Sequence, residues 1–337
     1  ATLCRRETES ASGHTCVDVY HAFVQLIDQS MSTLAPLDPD FVLRGKDDAI
    51  HTLTASSFNS NVLFSGSQTG QILIWDLETR RVAHRISAHS GNTVLWLDVI
   101  DADNLLSVGR DGQVCQFNST GPTWVCQDSW KCGALGFCNA EYLKERGAVA
   151  VSTENMSEVG VVDMKDRFMA MSLKPAGNRG MCVKISLGSS EEELFVAYED
   201  GSISLWDLRT GKVKCNLGLH SEAVMSFDYC AALQKGSSVS VDNVIKIWTY
   251  DGSDIQELDS IEVTNSGFND VLFRKDSKLF VTAGWDGRSR LFSCKKHKPL
   301  AVLAYHKQAV QTLAFTTMNK LCTGSKDGNI SIWSVYN

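Results

Sequence analysis

The sequence predicts an all-β chain wound into a seven-bladed β-propeller and closed by an N-terminal strand. Three observations carry that expectation. One hairpin-like phrase recurs along the chain, it recurs at a nearly constant period, and a lone strand precedes the first full copy. The phrase is clearest from Thr282 to Phe292, TAGWDGRSRLF. A small-residue run ends at Asp286-Gly287, which supplies a tight turn, and an alternating run leads out to an aromatic. Kindred stretches are SGSQTGQILIWD from Ser65, SVGRDGQVCQF from Ser107, AYEDGSISLWD from Ala197, SVSVDNVIKIW from Ser238 and TGSKDGNISIW from Thr323.

The closing aromatics are Trp75, Phe117, Trp206, Trp248, Phe292 and Trp333, and Val162 of EVGVVDM takes the slot between Phe117 and Trp206. Successive spacings are 42, 45, 44, 42, 44 and 41 residues. A period in the low forties, with strands and a Trp-Asp ending, is the signature of four-stranded WD40 blades. Seven tips make seven blades. Upstream of three tips stands a histidine followed by an apolar run. In WD40 repeats such a His, the turn Asp and the strand Trp form an internal support. The pairs here are His89 with Asp111, His220 with Asp242 and His306 with Asp327, and the strand anchors are Trp75, Trp206, Trp248 and Trp333. A buried imidazole bonded to a carboxylate is satisfied rather than reactive, so all of these are expected to be scaffold.

Taken in order, residues 1–30 are expected to be a disordered extension, because ATLCRRETESASGHTC is polar and HAFVQLI is too short for a signal core. Residues 31–40 follow as a linker, and 41–337 as the propeller. PLDPDFVLRGKDDAIHTL lies well beside KPLAVLAYHKQAVQTL: Val42-Leu43 matches Val302-Leu303, and Leu53 matches Leu313. The first match is an outer strand without a blade of its own. The last blade runs out soon after Trp333, so Phe41 to Arg44 is expected to complete it and remove an open sheet edge. Blade one carries Thr69 where the turn Asp belongs. The third blade, roughly Trp124 to Leu173, has neither the His nor the Trp. Its Cys126, Cys132 and Cys138 are expected to be buried structural thiols, since no further ligand stands at metal spacing. Glu191 to Glu193 should form a solvated acidic tip, and Lys295 to Lys298 a turn of blade six.

Composition narrows the function. A net charge of −7 argues against bulk affinity for nucleic acid or an acidic membrane, and no apolar run is long enough to span a bilayer. Eleven cysteines without a CxxC pair point to a reducing compartment. No P-loop, GxGxxG, GxSxG or HExxH occurs, so no cofactor, metal site or catalytic residue is expected. What a propeller offers is a rigid rim. The residues just before the turns, Gln68, Arg110, Glu199, Val241, Trp285 and Lys326, should project there. Trp285 stands out: it is either an exposed hot spot for a protein partner or a ring leaning over a neighbouring blade.

PDFVLRG, LFSGSQTGQILIWDLETRR, AYEDGSISLWDL, VTAGWDGRSRLF, PLAVLAYHKQAVQTLAF and GSKDGNISIWSVY together resemble the G-protein β-subunit-like protein 1 family, whose fungal relatives are ASTRA-associated subunits. The resemblance runs from about Pro36 to Tyr336. It implies a non-enzymatic scaffold that works with the TTT co-chaperone complex on phosphatidylinositol 3-kinase-related kinases, in cytoplasm and nucleus, and so supports DNA-damage signalling. No heptad able to pair with a G-protein γ chain precedes the repeat, so no γ-chain partner is expected. A G-protein β-like signalling subunit and an adaptor for a ubiquitin ligase or chromatin complex are the alternatives.

Overall fold

The recurring phrases fold as hairpins because their strands alternate apolar and polar residues and, in five of them, the turn carries a glycine at positive φ, as at Gly201 (83°) and Gly287 (76°), while the fifth blade turns at Asp242-Asn243. At Gly201 an added Cβ would lie 2.1 Å from the His220 carbonyl oxygen, so no side chain fits. The computed structural model describes residues 37–45, 48–121, 123–133 and 136–336. Their strands form seven antiparallel sheets of four. Blade one runs Ile50–Ala55, Val62–Ser67, Gln71–Asp76, Arg81–Ser87, and the next five follow the same plan in chain order. The only helical element among the described residues is a short 3-10 turn, Lys144–Arg146.

Blade seven is built differently. Its inner three strands are Val310–Phe315, Leu321–Ser325 and Asn329–Trp333, and its outer strand is Phe41–Arg44. Phe41 pairs with Ile332 and Arg44 with Asn329. The closing strand is pinned at both ends, by Asp40 N donating to Ile332 O (2.8 Å) and Gly45 N to Gly328 O (3.0 Å). The Asp40 carboxylate also accepts from Lys320 Nζ (2.9 Å) and Ser334 Oγ (2.7 Å). The ring is thus closed by residues from opposite ends of the chain, and no blade is left with three strands.

The core is distributed rather than central. Seven apolar clusters each straddle one blade-to-blade interface. Phe64, Ile72 and Ile74 of blade one meet Val94, Leu97 and Phe117 of blade two. The last interface, between blades seven and one, joins Ile330, Ile332 and Cys322 to Ile50, Leu53, Leu63 and Trp75, with Leu43 of the closing strand among them. Burying apolar side chains between sheets is the main stabilising term of the ring.

Four expectations need amendment. Trp124–Lys131 is the outer strand of blade two, with Cys126 opposite Phe117, so blade three begins later than its repeat phrase implies. On that outer strand Cys126 is exposed, whereas Cys132 and Cys138 are buried. Glu193 is no solvated tip: it opens a strand and accepts from Lys214 Nζ (2.5 Å) and Tyr250 Oη (3.0 Å). Asp40, placed in the linker, is part of the closure. Residues 1–30 lie outside the described residues.

Candidate functional site

The rim residues occupy equivalent places. In five blades the backbone N–H of the residue before the turn donates to a carbonyl at the entry of the same blade's inner strand. These are Gln68 to Ala49, Arg110 to Thr93, Glu199 to Met181, Trp285 to Gly267 and Lys326 to Ala309, at 2.8–3.0 Å. All five side chains are exposed, while Val241 is half-buried. The antiparallel plan puts these turns on one face of the ring, with the loops that lead into the inner strands.

Their surroundings differ. Lys326 makes no side-chain hydrogen bond or ion pair among the described residues. Glu199 turns back, its Oε2 accepting from Met181 N (3.1 Å). The Arg110 guanidinium stacks over the ring of Phe137 at 4.1 Å. Trp285 is 44% exposed. Its buried half lies on Gly267, whose φ is 87° and where a Cβ would come within 2.2 Å of the indole. Its Nε1 donates to Asn269 Oδ1 at 2.8 Å, and Asn269 Nδ2 donates in turn to Val310 O of blade seven at 2.7 Å. The ring is therefore held flat on its own blade, with one face to solvent. It does not lean over a neighbour. A pre-ordered aromatic ring costs little entropy to bury, which suits an interaction hot spot.

The supports are uneven. His89 Nδ1 pairs with Asp111 Oδ1 (3.0 Å) and Nε2 with Ser107 Oγ (2.7 Å). His306 Nδ1 lies 3.1 Å from Asp327 Oδ2, and Nε2 meets Thr323 Oγ1 (2.9 Å) and Ser331 Oγ (2.8 Å). Trp333 Nε1 donates to Ser331 Oγ (3.0 Å), and Trp75 Nε1 to Ser65 Oγ (2.8 Å). The predicted His220–Asp242 pair is looser: Nδ1 stands 3.8 Å from Asp242 Oδ2, within ion-pair distance but beyond hydrogen-bond reach, and the ring's hydrogen bond goes to Ser238 Oγ (3.0 Å). Trp248 Nε1 finds no partner among the described residues. Blade six replaces the histidine with Arg290, whose Nη2 meets Asp286 Oδ2 at 2.7 Å. In blade one Thr69 donates to Asp48 instead. Asp111, His89 and Ser107 mimic a hydrolytic triad in connectivity, yet His89 and Ser107 are fully buried with no room for a substrate. Burial also pulls the His89 and His306 pKa values below the ordinary range, against the opposing pull of Asp111 and Asp327.

Sequence reasoning missed the axis. In six blades the inner strand bulges at its second residue, as between Ile50 and Thr52 or Phe268 and Asp270. A bulge re-aims a side chain. The extra residues, His51, Leu95, Val183, Met225, Asn269 and Gln311, all line one cavity of about 280 Å³ on the ring axis. So does Phe137, 54% exposed. Trp96, Asn139, Glu141, Lys184, Asp228 and Asp270 line it too. Lys184 Nζ pairs with Asp270 Oδ1 at 3.6 Å. Several of these groups clamp neighbouring blades. Asn139 Oδ1 accepts from Ile185 N (2.7 Å), Asp228 Oδ2 from Phe273 N (2.7 Å), and Asp270 Oδ2 from Leu313 N (3.0 Å). Burial, reinforced by the Asp98 carboxylate, pushes Glu141 up to about 8, and burial pushes Asp228 up to about 6. Among the described residues no group of His, Cys, Asp and Glu is arranged to hold a metal ion.

Comparison with known proteins adds three findings. Residues 38–76 and 297–334 match the family model described as WD domain, G-beta repeat. The chain is 37% identical over 316 residues to the guanine nucleotide-binding protein subunit beta-like protein 1 of Mus musculus, covering 89% of this chain and 97% of the relative. It is 25% identical to the ASTRA-associated protein 1 of Schizosaccharomyces pombe (88% and 99% covered) and 28% identical to that of Aspergillus niger (84% and 82%).

Proposed function

The chain belongs to the guanine nucleotide-binding protein subunit beta-like protein 1 family, and from that premise we propose that it is a non-enzymatic scaffold for the maturation of phosphatidylinositol 3-kinase-related kinases. In this reading its partners are those kinases and subunits of the TTT co-chaperone complex, it works in cytoplasm and nucleus, and it supports DNA-damage signalling. Relatives named ASTRA-associated protein 1, matched along nearly their whole length, support a role inside a larger protein assembly. The observation that carries the reading is the rim: a rigid Trp285, ordered by Asn269 and Gly267, with one face open to a partner. The buried, hydrogen-bonded histidines favour a scaffold over a catalyst.

The test is affinity purification of the tagged chain with mass spectrometry, beside Trp285→Ala. The wild type should recover the kinases and co-chaperone subunits. The variant should recover several-fold less, since an interfacial Trp is worth about 2 kcal/mol or more, with an unchanged melting temperature. Recovery of only G-protein γ chains, or only ubiquitin-ligase subunits, would overturn the scaffold reading. A variant that melts early would place Trp285 in the core.

A further inference from the structure

The axial cavity has more acid than it neutralises. The one ammonium among its lining residues, Lys184, pairs with Asp270 at 3.6 Å and also faces Asp228 and Glu141. The Asp228 carboxylate is engaged by the backbone N–H of Phe273 (2.7 Å), and Asp98, outside the lining, by that of Val99 (2.8 Å). Glu141, on the inner strand of blade three beside the Lys184 strand of blade four, receives no hydrogen bond from the described residues. Blade two adds Trp96, and blade one adds His51, to the lining. His51 Nδ1 is shut off from solvent and has no hydrogen-bond partner among the described residues. Burial, and then the nearby Arg110, lower the His51 pKa and keep the ring neutral. A carboxyl group without a hydrogen bond, able to ionise when a cation arrives, and an indole in one cavity are the complement of an organic cation.

We propose that the axial cavity receives the guanidinium or ammonium of a basic segment from a protein partner, seated against Glu141 and Trp96. The source is a protein because the cavity is continuous with the rim: Phe137 lines it while more than half exposed, and Asn269 joins it to Trp285. The inference deepens the scaffold reading and rests on it for the nature of the partner, but its cation chemistry stands apart from which partner that is.

The groups facing Glu141 are Asp98, Lys184, Asp228 and Glu191, with Asp270 beyond Lys184. Burial first, and then the excess of acid among these groups, push the Glu141 pKa up to about 8, so the protonated form dominates at neutral pH. An arriving cation favours the ionised form and displaces that proton. Affinity should therefore rise with pH up to about 8.

The probe is a hexa-arginine peptide, titrated calorimetrically into the full chain in buffers of low and high ionisation enthalpy. Spermidine serves as the non-protein cation and a hexa-glutamate peptide as the control. Binding with proton release is expected, weakened about tenfold or more in Glu141→Gln, the loss of a charge-assisted contact. Glu141→Gln should fold, because the side chain it replaces is already uncharged at neutral pH. Glu192→Gln, on the exposed loop, should bind as wild type. No peptide binding, or equal binding by wild type and Glu141→Gln, would overturn the proposal. So would an equal loss in Glu192→Gln, and tighter binding of spermidine would overturn a protein source. Normal peptide binding by a chain that recovers no kinases would leave the cation site standing and remove the scaffold reading.

Discussion

Replacing Leu43 by alanine should loosen the ring at its only discontinuity. Leu43 is 1% exposed and belongs to the cluster joining blades seven and one, against Ile50, Leu73 and Ile330. Truncating a buried leucine costs about 2–5 kcal/mol, through lost transfer energy and the cavity left behind. A middle value of about 3 kcal/mol is reasonable here, because the short outer strand can settle partly into the gap. For a chain of this size that lowers the melting temperature by about 6 °C. Arg44, next along the same strand, is exposed, and Arg44→Ala should change stability by less than about 0.5 kcal/mol. Urea unfolding and thermal melts of the two variants, beside deletion of Phe41 to Gly45, measure the difference. The deletion should be the worst and should promote aggregation, since it uncovers the free edge of Asn329–Trp333. An unchanged melting temperature for Leu43→Ala or for the deletion would refute closure as a source of stability.

Two further outcomes follow from buried charge. Asp270→Ala removes the acceptor of Leu313 N and Ser226 Oγ and strands Lys184, so it should cost about 3–5 kcal/mol in urea unfolding, and Asp270→Asn less. A loss below that of an exposed surface variant would show that the blades do not depend on this clamp. The buried histidines should make stability fall in mild acid. An unfolded imidazole takes up its proton near pH 6.5, whereas burial holds the pKa of folded His306 lower. That contribution is complete above the unfolded value and is lost as pH falls through it. Glu141 and Asp228 act in the opposite sense: their raised pKa values favour folding at low pH and that benefit is lost as pH rises towards about 8 and about 6. The histidine effect is therefore read as a difference. Stability measured from pH 7.5 to 5.5 should fall more steeply in the wild type than in His306→Gln, and identical slopes would exclude it.

Much of this architecture was legible in the sequence because it is local and repeated. An Asp-Gly turn, a period-2 strand and a closing Trp each act within a few residues, and their recurrence counts the blades. Even the long-range closure was visible, since Val42-Leu43 matches the outer strand of blade six. The turn placed Trp285 on the rim, but whether the ring lies open or leans away depends on Gly267 and Asn269, which the repeat does not constrain. The same limit applies to His220, where spacing predicts a bond to Asp242 and a few tenths of an ångström remove it. The axis was illegible for a stronger reason. Glu141, Lys184, Asp228 and Asp270 come from four different inner strands, and in sequence each is one more polar residue on an alternating strand. Only closing the ring brings their charges together, in a space where burial magnifies every unpaired one. The sequence by itself determined a seven-bladed ring and where its ends meet. The tertiary structure decided what lines its axis, because that depends on which residues face one another across the ring.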